Sequence, residues 1–179
     1  MKAIQDERCT AVHGVPTMFI AELEHPNFSR YDFSSLRTGI MAGSPCPIER
    51  MREVSDKMNM KEMVIVYGLT ETAPGITMST TDDSLERRVT TVGRVFPHTE
   101  LVIMDPKTGR VVPIGDIREI YARGYMKMKG YYNHPSATDQ VIDRNGWLRS
   151  RRHGHRRLHQ DGRQTEGNGH LQRRKHLST

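Results

Sequence analysis

No stretch of this sequence approaches the ~20 consecutive apolar residues that a membrane-spanning helix needs. The first residues, Met1 to Arg8, have no apolar core and carry two acids, so they read as neither a secretory signal nor a transit peptide. Cysteine is scarce: Cys9 and Cys46 make no metal or disulfide pattern, which leaves a reducing compartment as the default. Aromatic residues are only 6% of the chain, with a single tryptophan. Charge of one sign is also missing from most of the sequence. The last thirty of the 179 residues hold eight Lys and Arg against two acids, so the whole net charge of +6 sits there. The body before Ser150 is electrostatically neutral. Its composition is that of an ordinary globular chain, 35% hydrophobic and 27% charged.

The body reads as alternating strands and helices. Thr10 to Val15 is a short apolar run that suits a buried strand. Pro16 stands where a helix would start, Met18, Phe19, Ile20 and Leu23 follow at helical spacing, and His25-Pro26-Asn27 stops it. Leu36 to Ala42 reads as a second strand, ended by Gly43-Ser44-Pro45. Pro47 to Met58 reads as a helix with Ile48, Met51, Val54 and Met58 on one stripe. Met63 to Tyr67 is a third strand, broken at Gly68. Apolar strands alternating with helices predict a mostly parallel sheet covered by helices. After about residue 90 short strand-like runs and turns predominate, among them Leu101 to Met104, Asp105 to Gly109 and Ile114 to Ala122, which predicts a small antiparallel sheet or barrel. The expected organisation is therefore an α/β unit over 1–90, a β-rich subdomain over 91–149 and a basic tail over 150–179. The tail's only aliphatics are Leu158, Leu171 and Leu177, too few to offset its ordering entropy, so disorder is expected.

Three segments carry the chemistry. Tyr67-Gly68-Leu69-Thr70-Glu71-Thr72 follows an apolar strand. Glycine permits a sharp turn and close approach of backbone to a ligand. A threonine hydroxyl suits phosphate, a neighbouring carboxylate suits Mg²⁺ shared with phosphates, and a tyrosine offers a flat face to a base. The carboxyl end of a parallel strand is also where open α/β sheets bind ligands. The plainer reading is a strand, a turn and a helix cap. Met41-Ala42-Gly43-Ser44-Pro45-Cys46-Pro47 is small-residue chain ahead of a helix, either a ligand-bordering loop or simply a tight βα turn. Gly124 through Pro135, with Gly130-Tyr131-Tyr132-Asn133, is by itself a loop with aromatics.

Taken in order, the three resemble the adenylate-forming superfamily of acyl-CoA synthetases, luciferases and peptide-synthetase adenylation domains. Tyr67 to Glu71 is similar to that family's Tyr-Gly-x-Thr-Glu, Gly43-Ser44-Pro45 to its Gly-Ala-Pro loop, and Gly130-Tyr131-Tyr132-Asn133-x-Pro135-x-x-Thr138 to its Gly-Tyr-x-Asn-x-Pro-x-x-Thr segment. Asp143 to Arg149 resembles the Asp-Gly-Trp-Leu stretch that leads into Thr-Gly-Asp. Val12 to Leu23 looks most like the medium-chain fatty acyl-CoA ligase branch. The likeness covers about residues 7–149 and implies part of the large adenylate-forming domain.

The resemblance implies an acid–thiol ligase that uses ATP, Mg²⁺ and coenzyme A to turn a fatty acid into an acyl-adenylate and then a thioester. It places Tyr67 against adenine, with Gly43, Ser44, Pro45 and Gly68 bordering the nucleotide, Gly68 also bordering the acyl pocket. It places Thr70 on phosphate and Glu71 on Mg²⁺, the two catalytic candidates, and Thr72, Ala73, Pro74 and Gly75 beside the acyl chain. It implies a mitochondrial setting by branch, although this chain shows no transit peptide and would otherwise read as cytoplasmic. Some family parts are not found: the Gly/Ser/Thr-rich phosphate loop, the ribose-binding aspartate expected after Arg149, and the small domain with its catalytic lysine. A fragment inactive alone is therefore expected. Arg118 stands where the family has the second glycine of Gly-x-x-Gly-Glu.

The tail admits a specific explanation, a shifted reading frame from about residue 150. Read one base later, Arg151-Arg152-His153 permits Gly-Asp-Met, and Glu166 to Ser178 permits a string ending Gly-Glu-Asn-Ile-Tyr-Pro, as the family has near its hinge. Two other functions stay open at this level. The Arg-rich tail could bind nucleic acid through phosphates, although no aromatics are interleaved for stacking, and the chain could be a non-catalytic interaction fragment. His13 either faces the acyl pocket or is a hydrogen-bonded core residue. Nine histidines alone make no metal site, since five lie in the tail without ligand spacing.

Overall fold

The computed structural model describes residues 1–105, 107–112 and 119–153, the last three as backbone only. The basic tail, with the expectations of disorder, of a shifted frame and of nucleic-acid binding, lies outside the described residues beyond position 153. So does Arg118.

In chain order the elements are α1 (Lys2–Asp6), β1 (Ala11–Gly14), α2 (Pro16–Leu23), β2 (Thr38–Ala42), α3 (Ile48–Lys57), β3 (Glu62–Tyr67), β4 (Thr77–Met78), α4 (Leu85–Thr90), β5 (Arg94–Val95), β6 (Thr99–Asp105), β7 (Arg110–Val111), β8 (Glu119–Gly124), α5 (Pro135–Asp139) and β9 (Leu148–His153). Two sheets result. The first has the order β1-β2-β3-β4-β5, and the second β7-β6-β8-β9.

In the first sheet β1, β2 and β3 are parallel, with Ile40 opposite His13 on one side and Val64 on the other. α2 opens on Pro16, whose fixed φ and missing N–H suit the first helical turn. The stripe on α3 turns Met51, Val54 and the capping Met58 into the interior. These pack with Phe19, Leu36, Met41, Met60 and Met63 into the main core. The chain then reverses. β4 runs antiparallel to β3, and β5 antiparallel to β4, a feature that hydropathy does not reveal because each has only two residues. The buried Arg88 of α4 ties this return to the sheet by donating to the Asp83, Met63 and Thr81 carbonyls at 2.9, 2.8 and 2.6 Å.

The second sheet is antiparallel throughout. β6 and β8 pair over their length, from Thr99 opposite Gly124 to Met104 opposite Glu119. β9 joins β8 with Tyr121 opposite Arg149. The parallel sheet with helices and the antiparallel β sheet expected from the sequence are thus both present. β5, at Arg94–Val95, belongs to the first sheet and β6 begins the second at Thr99. No helix among the described residues is long and apolar enough to cross a membrane.

Two expectations need correction. β1 is half-buried rather than buried, because it is the outer strand of its sheet. For the same reason His13 is exposed, so it is not a core histidine.

Candidate functional site

A cavity of about 480 Å³ opens at the carboxyl ends of β2 and β3. Parallel strands leave their last residues and the loops that follow facing the same end of the sheet, and that end is where such sheets accept ligands. Ala42 and Gly43 contribute from the end of β2, and Val66, Gly68, Leu69, Thr70, Glu71 and Pro74 from β3 and its loop. The opposite wall comes from β9, with Leu148 and Arg149, and from the segment between β8 and β9, with Tyr131 and Val141.

The loop between β3 and β4 is tightly made. The Ile76 N–H donates to the Tyr67 carbonyl at 2.8 Å and closes it. Inside it Thr70–Thr72 forms one 3₁₀ turn. The buried Thr72 hydroxyl accepts from the Leu69 N–H at 2.9 Å and donates back to the Leu69 carbonyl at 2.9 Å. Gly68 has no alternative here: a Cβ on it would lie 1.7 Å from the Pro74 carbonyl oxygen. On the neighbouring strand Gly43 takes φ +90, a left-handed turn that glycine adopts without a Cβ penalty.

The structure therefore brings together Gly43, Gly68, Thr70, Glu71 and Pro74 of the residues singled out by sequence. Thr70 is exposed and Glu71 half-buried. Ser44 and Pro45 are exposed beside Gly43 but are not part of the cavity wall. Thr72 and Gly75 are buried beneath the loop, Gly75 against Phe96 and Val66. Ala73 is exposed at φ 47. Tyr67 is not in the cavity wall either. Its ring packs beside Ile76, Ala122 and Met126, and its hydroxyl lies 3.3 Å from the Ser150 hydroxyl.

Sequence reading assigned no role to the far wall. Tyr131, the second residue of the Gly130-Tyr131-Tyr132-Asn133 segment, donates its hydroxyl to the Glu71 carboxylate at 2.6 Å, and the Met128 N–H donates to the Glu71 carbonyl at 2.8 Å. Arg149 is held by Glu119, whose carboxylate accepts from its Nε and, at 2.9 Å, from its Nη2. Glu119 is buried, and its hydrogen bonding raises the Arg149 pKa above its ordinary value, so this wall of the cavity carries a fixed ion pair. The turn before β9 presents Arg149. Asp143 accepts from the Asn145 and Trp147 N–H groups at 2.9 and 2.8 Å, and the Arg149 N–H donates to the Val141 carbonyl at 2.7 Å. The spacing of tyrosine and threonine in Gly-Tyr-x-Asn-x-Pro-x-x-Thr was the one signal that could have pointed across the cleft.

Could this cavity hold a metal? Among the described residues no cluster of three or more His, Cys, Asp or Glu side chains exists. Glu71 and Thr70 offer hard oxygen donors but only one carboxylate. That set suits Mg²⁺, which keeps most of its waters and binds through one or two carboxylates plus substrate phosphates. It fits a metal arriving with a nucleotide better than a resident ion.

The profile described as AMP-binding enzyme matches residues 1–132. A putative acyl-CoA synthetase, YngI of Bacillus subtilis (strain 168), is 53% identical over 148 residues, covering 83% of this chain and 27% of that protein. The mouse (Mus musculus) medium-chain acyl-CoA ligase ACSF2, mitochondrial, is 43% identical over 150 residues, covering 84% of this chain and 24% of that protein. Among solved structures, the amide bond synthetase McbA from Marinactinospora thermotolerans superposes with a TM-score of 0.71 at 37% identity, covering 83% of this chain and 29% of that one. The chain thus spans about a quarter of the length of the curated relatives it matches.

Proposed function

The chain belongs to the AMP-binding enzyme family, and we propose that it carries the nucleotide- and metal-binding part of an AMP-forming fatty acid–CoA ligase. One observation carries this reading: the turn after β3 and the bend after β2 share a single cavity, with Thr70 and Glu71 at its wall.

In the proposed reaction a carboxylate oxygen of the fatty acid bonds to the α-phosphorus of ATP while the bond to pyrophosphate breaks. The thiol sulfur of coenzyme A then bonds to the acyl carbon, loses its proton, and AMP leaves. Such phosphoryl chemistry needs positioning and charge stabilisation more than a protein nucleophile. Thr70 would donate its hydroxyl to a phosphate oxygen, and Gly68, which lets the main chain pass close against Pro74, would border the nucleotide. Gly43, Ser44 and Pro45 would border the adenine. Bound Mg²⁺ would supply positive charge to the departing pyrophosphate, and Glu71 would hold it. Thr72 to Gly75 would shape the acyl side, Pro74 by contact and the others by fixing the loop. The adenine role of Tyr67 rests on its place in the motif, since its ring here packs on the Ile76, Ala122 and Met126 cluster.

The substrate class is read from the relatives, an acyl-CoA synthetase and an acyl-CoA ligase by name. A mitochondrial setting is drawn from the mitochondrial ACSF2 relatives, the mouse protein among them, and the more similar bacterial protein gives it no support.

Two measurements on the 179-residue chain test the reading. Saturation-transfer NMR with ATP and Mg²⁺ should show contacts at the adenine protons that fade in Thr70→Ala and Glu71→Gln. Acid-dependent pyrophosphate exchange should be absent, because most of the length of the relatives lies outside this chain. A chain with no contact to ATP would sink the reading. Robust exchange would show that the parts present suffice.

A further inference from the structure

We infer that Tyr131 is a positioning residue for Glu71: it fixes the carboxylate so that one oxygen is committed to the protein and the other is left for a metal ion. The inference rests on the metal-holding role proposed above for Glu71.

The contact joins residues sixty positions apart and bridges the two sheets. Tyr131 Oη donates to Glu71 Oε1 at 2.6 Å, and the Met128 N–H donates to the Glu71 carbonyl at 2.8 Å. The main chain and the side chain of Glu71 are therefore both held by one segment, the loop that follows β8. Everything around Tyr131 serves to aim it. Its N–H donates to Thr138 Oγ1 at 2.9 Å, and that hydroxyl donates to the His134 carbonyl at 3.1 Å. The His134 N–H returns to the Tyr131 carbonyl at 3.2 Å. Gly130 leaves room for Thr138, since a Cβ there would sit 3.0 Å from the threonine side chain. Asn133 takes φ 53, which reverses the chain between them. A glycine, a tyrosine and a threonine eight residues past the glycine thus form one small frame with the tyrosine at its tip.

The physical gain is pre-organisation. A free glutamate loses rotamer freedom when it takes a metal, and a ligating carboxylate is commonly held by an outer hydrogen bond that settles its orientation beforehand. The neighbouring Tyr132 is exposed and serves as the internal control.

The experiment uses the full chain, its Tyr131→Phe, Glu71→Gln and Tyr132→Phe forms, and the double variant Tyr131→Phe/Glu71→Gln. Binding of a fluorescent ATP analogue is measured in Mg²⁺ and in EDTA. Tyr131→Phe should weaken the Mg²⁺-dependent part of the affinity roughly tenfold, as loss of an outer-shell partner does, and leave affinity in EDTA unchanged. It should add nothing in the Glu71→Gln background, and Tyr132→Phe should behave as wild type. Full Mg²⁺ dependence in Tyr131→Phe would overturn the inference. So would equal weakening with and without Mg²⁺, which would mean a structural role only. A urea double-mutant cycle on the ligand-free chain separates the inference from the function it rests on. Coupling of roughly threefold or more in the unfolding equilibrium is expected between Tyr131 and Glu71, and additivity would overturn the inference whatever the nucleotide does. If coupling is present but Glu71→Gln binds the Mg²⁺ complex as wild type does, the metal role of Glu71 fails and the inference falls with it.

Discussion

The two sheets are held together by different forces, and the cavity lies where they meet. The first sheet buries one large apolar cluster under α2 and α3, with Phe19, Val54, Met58 and Met60 fully enclosed. The second has a small cluster, Ile76, Ala122 and Met126, and leans on long strand pairing and on polar ties: Arg149 on Glu119, and Arg123 forked on Glu100 and stacked 4.7 Å over Trp147. Burial is non-directional and scales with area, whereas strand register and charge-assisted hydrogen bonds place atoms in defined positions. The first sheet therefore supplies a stable platform carrying the Thr70–Glu71 turn. The second supplies the contacts that aim it, through Met128 and Tyr131.

This contrast can be broken most readily in the cores. Phe19→Ala should cost about 3–5 kcal/mol, whereas Met126→Ala should cost about 2 kcal/mol, because a better-enclosed side chain leaves a larger unrelaxed cavity. Urea unfolding followed by circular dichroism measures both, and equal costs would erase the distinction. Next in size is Gly68→Ala, at about 2–3 kcal/mol. Its added methyl meets main chain rather than a movable side chain. Thermal melts should show the loss together with weaker nucleotide binding, and a stable Gly68→Ala chain would mean that the loop is looser than its hydrogen bonds imply.

The smallest effect sharpens the picture within the first layer. Burial raises the Glu22 pKa, opposed by the N-terminal ammonium 3.9 Å away, and its Oε2 is buried without a hydrogen bond. A carboxyl whose folded pKa is raised favours folding in its protonated form. That contribution is full below the usual carboxylate range and is lost as pH rises through the folded value. Charged Glu22 is therefore a burden at neutral pH, and Glu22→Gln should gain roughly 0.5–1 kcal/mol there. It should also remove the part of the stability rise seen on mild acidification. Melts from pH 7 down to pH 4 measure this, and a destabilised variant at pH 7 would contradict the account.

Much of the fold was legible along the chain. Pro16 and the spacing Met18, Phe19, Leu23 located α2, and the stripe Met51, Val54, Met58 located α3. The apolar runs ending at Ala42 and Tyr67 located β2 and β3 to within two residues. Where reading failed, the cause was context. β4 and β5 are too short for any periodicity to register. His13 looked like core because its strand is apolar, yet its position at the sheet edge exposes it. At the site, the glycines, Thr70 and Glu71 could be singled out in advance, since their residue types suit a phosphate-bearing ligand. Tyr131 and Arg149 could not be placed, since their importance depends on which side chains they meet across the cleft.

Local order along the chain, then, determined the elements and one half of the cavity, because turns, caps and apolar spacing act between near neighbours. Tertiary structure alone decided the other half. The Tyr131–Glu71 and Arg149–Glu119 contacts join residues sixty and thirty positions apart, and no local preference of either partner encodes them. They exist because the strand pairing of the second sheet, closed by the turn at Asp143, carries those side chains to the carboxyl ends of β2 and β3.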